Sequence, residues 1–430
     1  MAKVSAAMLM VLALLAGCDG QQGSMVLHPV GGAAGGSVSA GGAVSPGGSG
    51  GIQAAAGDNV LDVVVDSGPQ NIGYINGLFA TATICEPGTN NCQTIDHLLV
   101  DTGSVGVRVL ESLVTLSLPE AKNDSGQALA ECAPFVDGTA WGPLKTADFQ
   151  LAGEKAAGLT IHLIGEQSYA VPTGCTGTPI NDLSTLAANG ILGVGLSLKD
   201  CGAACAMSAQ SFLNPGTYYA CSSPRGGCAV AAVPTNQQLS HPVASFPVDN
   251  NGVIIRLPSI AASGAASVPG QMVFGIGTAT NNRLGSAVVV ALDVNQFAST
   301  TFPVGGTSYA SIIDSGSNGL YFLDGATTNL PQCTGGLRGL YCPSATTSLS
   351  ATLAAASGGN PRVDFSVANP ARLSATACAF SDIAGPMPGY RTDLGIPAFD
   401  WGLPFFFGRD VYIAIEGQGT SAGDGPYIAF

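Results

Sequence analysis

The chain has 430 residues and a formal net charge of −14, with 46% of its residues hydrophobic and only 10% charged. That length exceeds what one hydrophobic core usually serves, so two lobes are expected. No Lys or Arg occurs between Lys3 and Arg108, and an acidic chain of this kind excludes a nucleic-acid partner because nothing in it would neutralise a run of phosphates.

Residues 1–18, MAKVSAAMLMVLALLAGC, place one Lys ahead of a short apolar stretch. It is too short for a comfortable membrane span and fits an export signal. Its end, Leu15-Ala16-Gly17-Cys18, resembles the lipobox of bacterial lipoproteins. That resemblance implies lipidation of Cys18, attachment to a membrane through it, and a location in the cell envelope facing the periplasm or the exterior; the alternative is an ordinary cleaved signal with a chance Cys. Residues 19–56 are dominated by Gly, Ala and Ser and read as a flexible tether with a reach of roughly 35 Å.

The remainder divides into an N-terminal lobe, 57–255, and a C-terminal lobe, 256–430. Sixty glycines and few charges suit many short strands and tight turns, so the fold class is mostly β. Twelve cysteines fit an oxidising compartment. Cys85 and Cys92 flank the turn-rich EPGTNN, which can bring them into disulfide geometry. Cys201, Cys205, Cys221 and Cys228 cluster around glycine-rich turns; with four His in the chain and none nearby, two disulfides are expected there rather than zinc. Cys132, Cys175, Cys333, Cys342 and Cys378 remain, and one of these is expected to be unpaired.

Four copies of Asp-(Ser/Thr)-Gly begin at Asp66, Asp101, Asp124 and Asp314. Asp124 follows the polar AKN, where the tripeptide is ordinary turn chemistry. Asp66 follows VVV, but Pro69 takes the place of a serine. Asp101 and Asp314 alone combine an apolar strand, a fourth-position serine and a following Gly-containing apolar stretch, in LLVDTGSVGV and SIIDSGSNGL. A buried carboxylate at a strand end is costly unless donors surround it, and the turn supplies backbone N–H groups together with the hydroxyls of Ser104 and Ser317. At nearly equal intervals after the two aspartates come GILGVGL, containing Gly193, and LPFFFGRDVYIAI, containing Gly408. Parallel spacing of this kind suggests a duplication that yields two lobes related by an approximate twofold axis. Glycine after an apolar strand permits close approach of another backbone, here the aspartate loop.

On VDTGS (100–104), GILGVGL (190–196), GQMVFGIG (270–277), IDSGS (313–317) and FFFGRDVYIAI (405–415), the chain resembles the pepsin-like, bilobal aspartic proteases. Through PVDNNGV at 247–253 it also resembles a bacterial group of exported proteins. The first resemblance implies two β lobes with a peptide held in extended form between them, and neither metal nor cofactor. It implies that Asp101 and Asp314 form a catalytic dyad and that Ser104 and Ser317 bond their outer oxygens. Thr102 and Ser315 would lock the loops together, with Gly103 and Gly316 allowing close approach. A flap over the cleft would contain Phe135, Gly138 and Trp141, and Gly193 and Gly408 would lie in the apolar-Gly segments beside the dyad.

Two positions depart from that family. Phe135 stands where a flap Tyr is usual, with the Trp141 indole N–H as a replacement donor, and Arg108 stands where a supporting Trp is usual. The alternative reading is a catalytically silent envelope module of the same fold that binds a peptide or glycan. His28, His97, His162 and His241 are scattered and belong to no nucleophile motif, which argues against a Ser-His-Asp enzyme.

Overall fold

The first strand, Val60–Asp66, alternates buried and more exposed positions as a half-buried strand should. The strand Cys92–Asp101 begins in the same way, but its last four residues, Leu98 to Asp101, are all buried. The cause is its neighbours: Gly77–Cys85 pairs with it on one side and Gly190–Val194 runs parallel to it on the other. A central strand covered on both faces reads as a continuous apolar run, which is why LLV precedes the aspartate. The computed structural model describes residues 57–135, 138–222, 227–303, 306–387 and 397–430. The expected signal with Cys18 and the tether 19–56 lie outside these residues.

The architecture is almost wholly β. Among the described residues one sheet has 15 strands and a second has 7. The large sheet carries the first lobe and continues from Val60–Asp66 into Val268–Phe274, Gly252–Leu257, Arg409–Ala414 and Tyr427–Ala429. Strands from both halves of the chain are thereby joined, and the expected division between residues 255 and 256 falls inside the Gly252–Leu257 strand.

Each lobe contains the same three-strand unit. In the first, Gly190–Val194 lies parallel to Cys92–Asp101 and antiparallel to Val105–Leu110. In the second, Phe399–Trp401 lies parallel to Ser308–Ile313 and antiparallel to Leu320–Phe322. The two aspartate turns therefore occupy corresponding places, as the internal repeat predicts.

One continuous core runs through both halves, but the two are filled differently. Around the first unit the buried residues are largely aliphatic, including Leu98, Val100, Val107 and Leu192, whereas the second packs Phe302, Phe322, Phe399, Trp401 and Phe405 against one another. Among the described residues five disulfides pin loops and hairpins, Cys85–Cys92, Cys132–Cys175, Cys201–Cys205, Cys221–Cys228 and Cys333–Cys342, and Cys378 is disulfide-bonded as well. The expectation of an unpaired thiol is corrected here, because no described cysteine is free.

Candidate active site

The strands Cys92–Asp101 and Ser308–Ile313 each deliver an aspartate into a turn, and the two turns meet. Both carboxyls are buried, Asp101 at 2% and Asp314 at 1% exposure. Backbone N–H groups freed by the turns satisfy the inner oxygens: Gly103 N donates to Asp101 Oδ1 and Gly316 N to Asp314 Oδ1, each at 2.8 Å. The outer oxygens accept from hydroxyls, Asp101 Oδ2 from Ser104 and Asp314 Oδ2 from Ser317 at 2.9 Å. The same donor set thus appears twice.

A second symmetric set holds the turns against each other. Thr102 Oγ1 donates to Ile313 O at 3.0 Å and accepts from Ser315 N at 2.9 Å. Ser315 Oγ donates to Val100 O at 2.7 Å and accepts from Thr102 N at 3.1 Å. Each hydroxyl reaches the carbonyl just before the opposite aspartate, so the lobes are registered at the position where the carboxyls meet. Gly103 is required there. A Cβ on it would stand 2.7 Å from Asp314 Oδ1 and 2.8 Å from Asp101 Oδ1, nearer than real Cβ atoms approach.

The inner oxygens of the two carboxyls flank the place a Gly103 Cβ would take, and the two acids titrate as coupled neighbours. Burial raises Asp101 above the ordinary carboxyl range, and the bonds from Ser104, Asp314 and Gly103 only partly oppose it. Burial raises Asp314 further, with the negative charges of Asp101 and Asp400 adding to the effect. Two acids this close cannot both ionise cheaply, so the pair retains a proton and titrates as a unit. Of the two, Asp314 is the more strongly raised.

Gly193 stands opposite Asp101 in the parallel register, and a Cβ there would meet Val105 backbone atoms at 2.8 Å. Gly408 does not occupy the corresponding place. It follows a turn at positive φ, 77°, beside Ser259. The counterpart of Gly193 is Gly402, because Ile313 pairs with Trp401 and Asp314 N donates to Trp401 O at 3.1 Å. A Cβ on Gly402 would meet Gly319 O at 2.1 Å. The run Leu403–Phe407 supplied a more conspicuous apolar-Gly signal than FDWG, but it lies one turn further along the chain.

Trp141 is not a cleft donor. It is buried, its indole N–H donates to Tyr169 O at 3.0 Å, and its ring packs edge-on against Tyr219. Phe135 directly follows the strand Ala128–Pro134, half-buried, with its backbone N donating to Gly138 O at 2.7 Å. Gly138 is buried where a Cβ would strike Thr178 O at 2.3 Å. The Arg108 guanidinium lies 5.7 Å from the centre of the Phe135 ring, so a cation rather than an indole supports this residue.

Arg108 belongs to a buried network that the sequence did not reveal. Its Nη2 donates to Glu131 Oε1 at 2.6 Å and lies 3.8 Å from Asp200, whose Oδ1 accepts from Tyr218 at 2.5 Å. His162 Nδ1 lies 2.9 Å from Glu131 Oε2. Burial alone would raise the Glu131 carboxyl, but Arg108 and His162 outweigh it and hold it well below the usual range. Burial and the charge of Glu131 push Asp200 well up, and burial lowers His162. The one cation is thus balanced by the one carboxylate that it holds ionised. Val105–Leu110, Ala128–Pro134 and Glu154–Ile164 contribute to the cluster from different positions along the chain, which leaves no local motif to read.

Two further residues bear on the site. Asn76 is buried in the first lobe's approach to the second, where its side chain donates to Asn318 O at 2.8 Å and Phe380 O at 2.9 Å and accepts from Phe380 N at 2.7 Å. Asp400 is buried beneath Ser317, whose hydroxyl lies 2.6 Å from Asp400 Oδ2. The available signal for Asp400 was an ionisable residue between Phe399 and Trp401 in an apolar strand.

Known proteins resemble this arrangement at the level of the fold. The solved crystal structure of an aspartic proteinase from Irpex lacteus superposes with a TM-score of 0.50 at 14% identity, covering 86% of this chain and 96% of that one. At that identity the likeness establishes the fold: the chain has the bilobal, pepsin-like β architecture expected from the sequence. A family model described as a protein of unknown function (DUF3443) matches residues 55–430. A comparison with curated proteins returned no match.

Proposed function

The chain belongs to the DUF3443 family, whose matched span contains both aspartate turns, and we propose that it is an exported aspartic-type endopeptidase hydrolysing peptide bonds in a substrate held between the lobes. The observation that carries this reading is the pair Asp101 and Asp314, brought together on either side of Gly103 and buried with matching donor sets, on a fold shared with an aspartic proteinase. A fold of this kind hosts more than one function, and it is the aspartate pair that points to hydrolysis.

In this reading one proton is shared by the pair. Asp314, the more strongly raised member, holds it and hydrogen-bonds the scissile carbonyl, while ionised Asp101 takes a proton from a water attacking that carbonyl. The attack forms a tetrahedral carbon. Protonation of the amide nitrogen then releases the amine and returns the pair to its starting state. Gly103 and Gly316 keep the inner oxygens aligned, and Ser104 and Ser317 hold the outer ones. Phe135 would cover bound peptide through apolar contact, without a hydroxyl to donate.

Five disulfides support an oxidising compartment. On that basis we place the protein outside the cytoplasm in the cell envelope, with the lipid anchor at Cys18 as part of the proposal.

The test is incubation of the disulfide-formed protein with an unfolded protein substrate from pH 3 to 7, comparing wild type with Asp101→Asn and Asp314→Asn. Cleavage by wild type and its loss in both variants is the expected result. A demonstrably folded wild type that cleaves at no pH, or variants that cleave like wild type, would reject the proposal in favour of a binding module.

A further inference from the structure

The two halves of the site match residue for residue until one strand deeper, where they diverge. Two positions before Gly193, Ile191 lies fully buried in the first lobe; two positions before Gly402, Asp400 lies equally buried in the second. Asp400 sits between Ile312 on the parallel neighbour and Tyr321 on the antiparallel one. Burying a carboxyl where the sister lobe buries isoleucine is costly unless it remains neutral or finds donors.

The contacts indicate which state it takes. Ser317 Oγ is 2.6 Å from Asp400 Oδ2 and 2.9 Å from Asp314 Oδ2. A hydroxyl has one proton to donate, so it can donate to only one of these oxygens and must accept from the other. Either Asp314 protonates its outer oxygen and Ser317 turns to an ionised Asp400, or Asp400 carries the proton and Ser317 turns to Asp314. The first arrangement leaves a charged Asp400 whose Oδ1 is buried without a hydrogen-bond partner. The second leaves only a neutral carbonyl oxygen there, which costs far less.

The surroundings favour the second arrangement as well. The ionisable groups facing Asp400 are Asp314 and Asp101 from the two turns and Tyr321 from Leu320–Phe322, whose hydroxyl donates to Asn318 Oδ1 at 2.7 Å. Ser308–Ile313 contributes Ile312 beside it, and no described cation forms an ion pair with it.

We propose that Asp400 is a positioning residue of the site, a protonated carboxyl that donates to Ser317 Oγ and so commits the single hydroxyl proton of Ser317 to Asp314. The inference rests on the reading of Asp314 as catalytic and identifies a support that Asp101 lacks, since Ile191 stands at the matching position of the first lobe. When Asp400 ionises at higher pH, Ser317 turns to it, and Asp314 loses a donor and gains a neighbouring negative charge. Asparagine at this position would donate to Ser317 at every pH. Isoleucine, the residue of the first lobe, would not donate at all.

Two measurements on the full chain test this. Infrared spectra at pH 7 should contain a protonated-carboxyl component that disappears in both Asp400→Asn and Asp400→Ile but persists in Asp101→Asn. An unchanged component in both Asp400 variants overturns the proposal, and this readout requires no turnover, so it remains decisive if proteolysis is absent. In the active enzyme, Asp400→Asn should extend the alkaline limb of kcat by about one pH unit. Asp400→Ile should lower kcat about tenfold at unchanged KM. Superimposable pH profiles for wild type and both variants would also overturn it.

Discussion

Thr102 and Ser315 exchange four hydrogen bonds across the lobe boundary, each hydroxyl accepting from the other residue's backbone N–H and donating to the carbonyl that precedes the opposite aspartate. No other described contact ties the two turns so symmetrically. The hydroxyls' four partners are backbone groups in a buried setting, two N–H donors and two carbonyl acceptors, so they have no water to fall back on.

Replacing either hydroxyl therefore strands a buried donor and a buried acceptor. Thr102→Ala and Ser315→Ala should each destabilise by about 1–3 kcal/mol. The double variant should lose less than the sum, since the second change acts on turns already released. Urea unfolding measures this, and two single variants within experimental error of wild type would contradict it.

A pH dependence follows from Asp314. Its carboxyl is raised in the folded state above the 3.8 of an ordinary aspartate, chiefly by burial and then by Asp101 and Asp400. Its contribution to stability is fully present below that ordinary value and is lost as pH rises through the raised one. Asparagine has no charge to bury, so Asp314→Asn should match wild type in Tm near pH 3 and exceed it at neutral pH. A difference in Tm that is constant from pH 3 to 8 would show that Asp314 is not raised.

Arg108 is the only described cation in contact with Glu131 and Asp200. Its removal leaves the buried Glu131 carboxylate with His162 as its one remaining partner and no permanent cation, so Arg108→Met should cost about 3–5 kcal/mol. Neutralising the carboxylate as well, in Arg108→Met with Glu131→Gln, should recover part of that loss. Arg108→Lys should not restore wild-type stability, because a point charge cannot reproduce the guanidinium contacts to Val105 O and Glu131. Thermal unfolding of the four proteins decides the matter.

The three glycines of the apolar-Gly segments should respond differently to alanine. A methyl on Gly402 or Gly193 meets fixed backbone, Gly319 O at 2.1 Å and Val105 at 2.8 Å, next to an aspartate turn. Gly408→Ala instead meets the movable Ser259 hydroxyl at 2.5 Å and adds the strain of a positive φ, a cost of about 1–2 kcal/mol. Gly402→Ala and Gly193→Ala should fail to yield folded protein or lose most activity, with Gly408→Ala folded and active. The reverse pattern would return Gly408 to the site.

Much of the site was legible because it is local. An apolar run, an aspartate, a hydroxyl, a glycine and a serine form a self-contained turn in which the backbone N–H two residues on and the hydroxyl three residues on reach the carboxyl. The repeat of that turn, with glycine in a later strand, carried the two-lobe architecture. Gly408 follows three phenylalanines and so makes the louder pattern in the sequence, while only strand register picks out Gly402. Trp141 has the chemistry of a donor, but the fold spends its N–H on Tyr169 O inside the lobe.

By itself, the sequence determined which carboxyls have donors of their own, since those donors lie within three residues of Asp101 and Asp314. Tertiary structure alone decided what those carboxyls face. Arg108 finds Glu131, Asn76 finds Phe380, and Asp400 comes beneath Ser317 by strand pairings that join distant parts of the chain. A titratable group takes its protonation from its neighbours in space, and in a β fold those neighbours are set by register rather than by distance along the polymer.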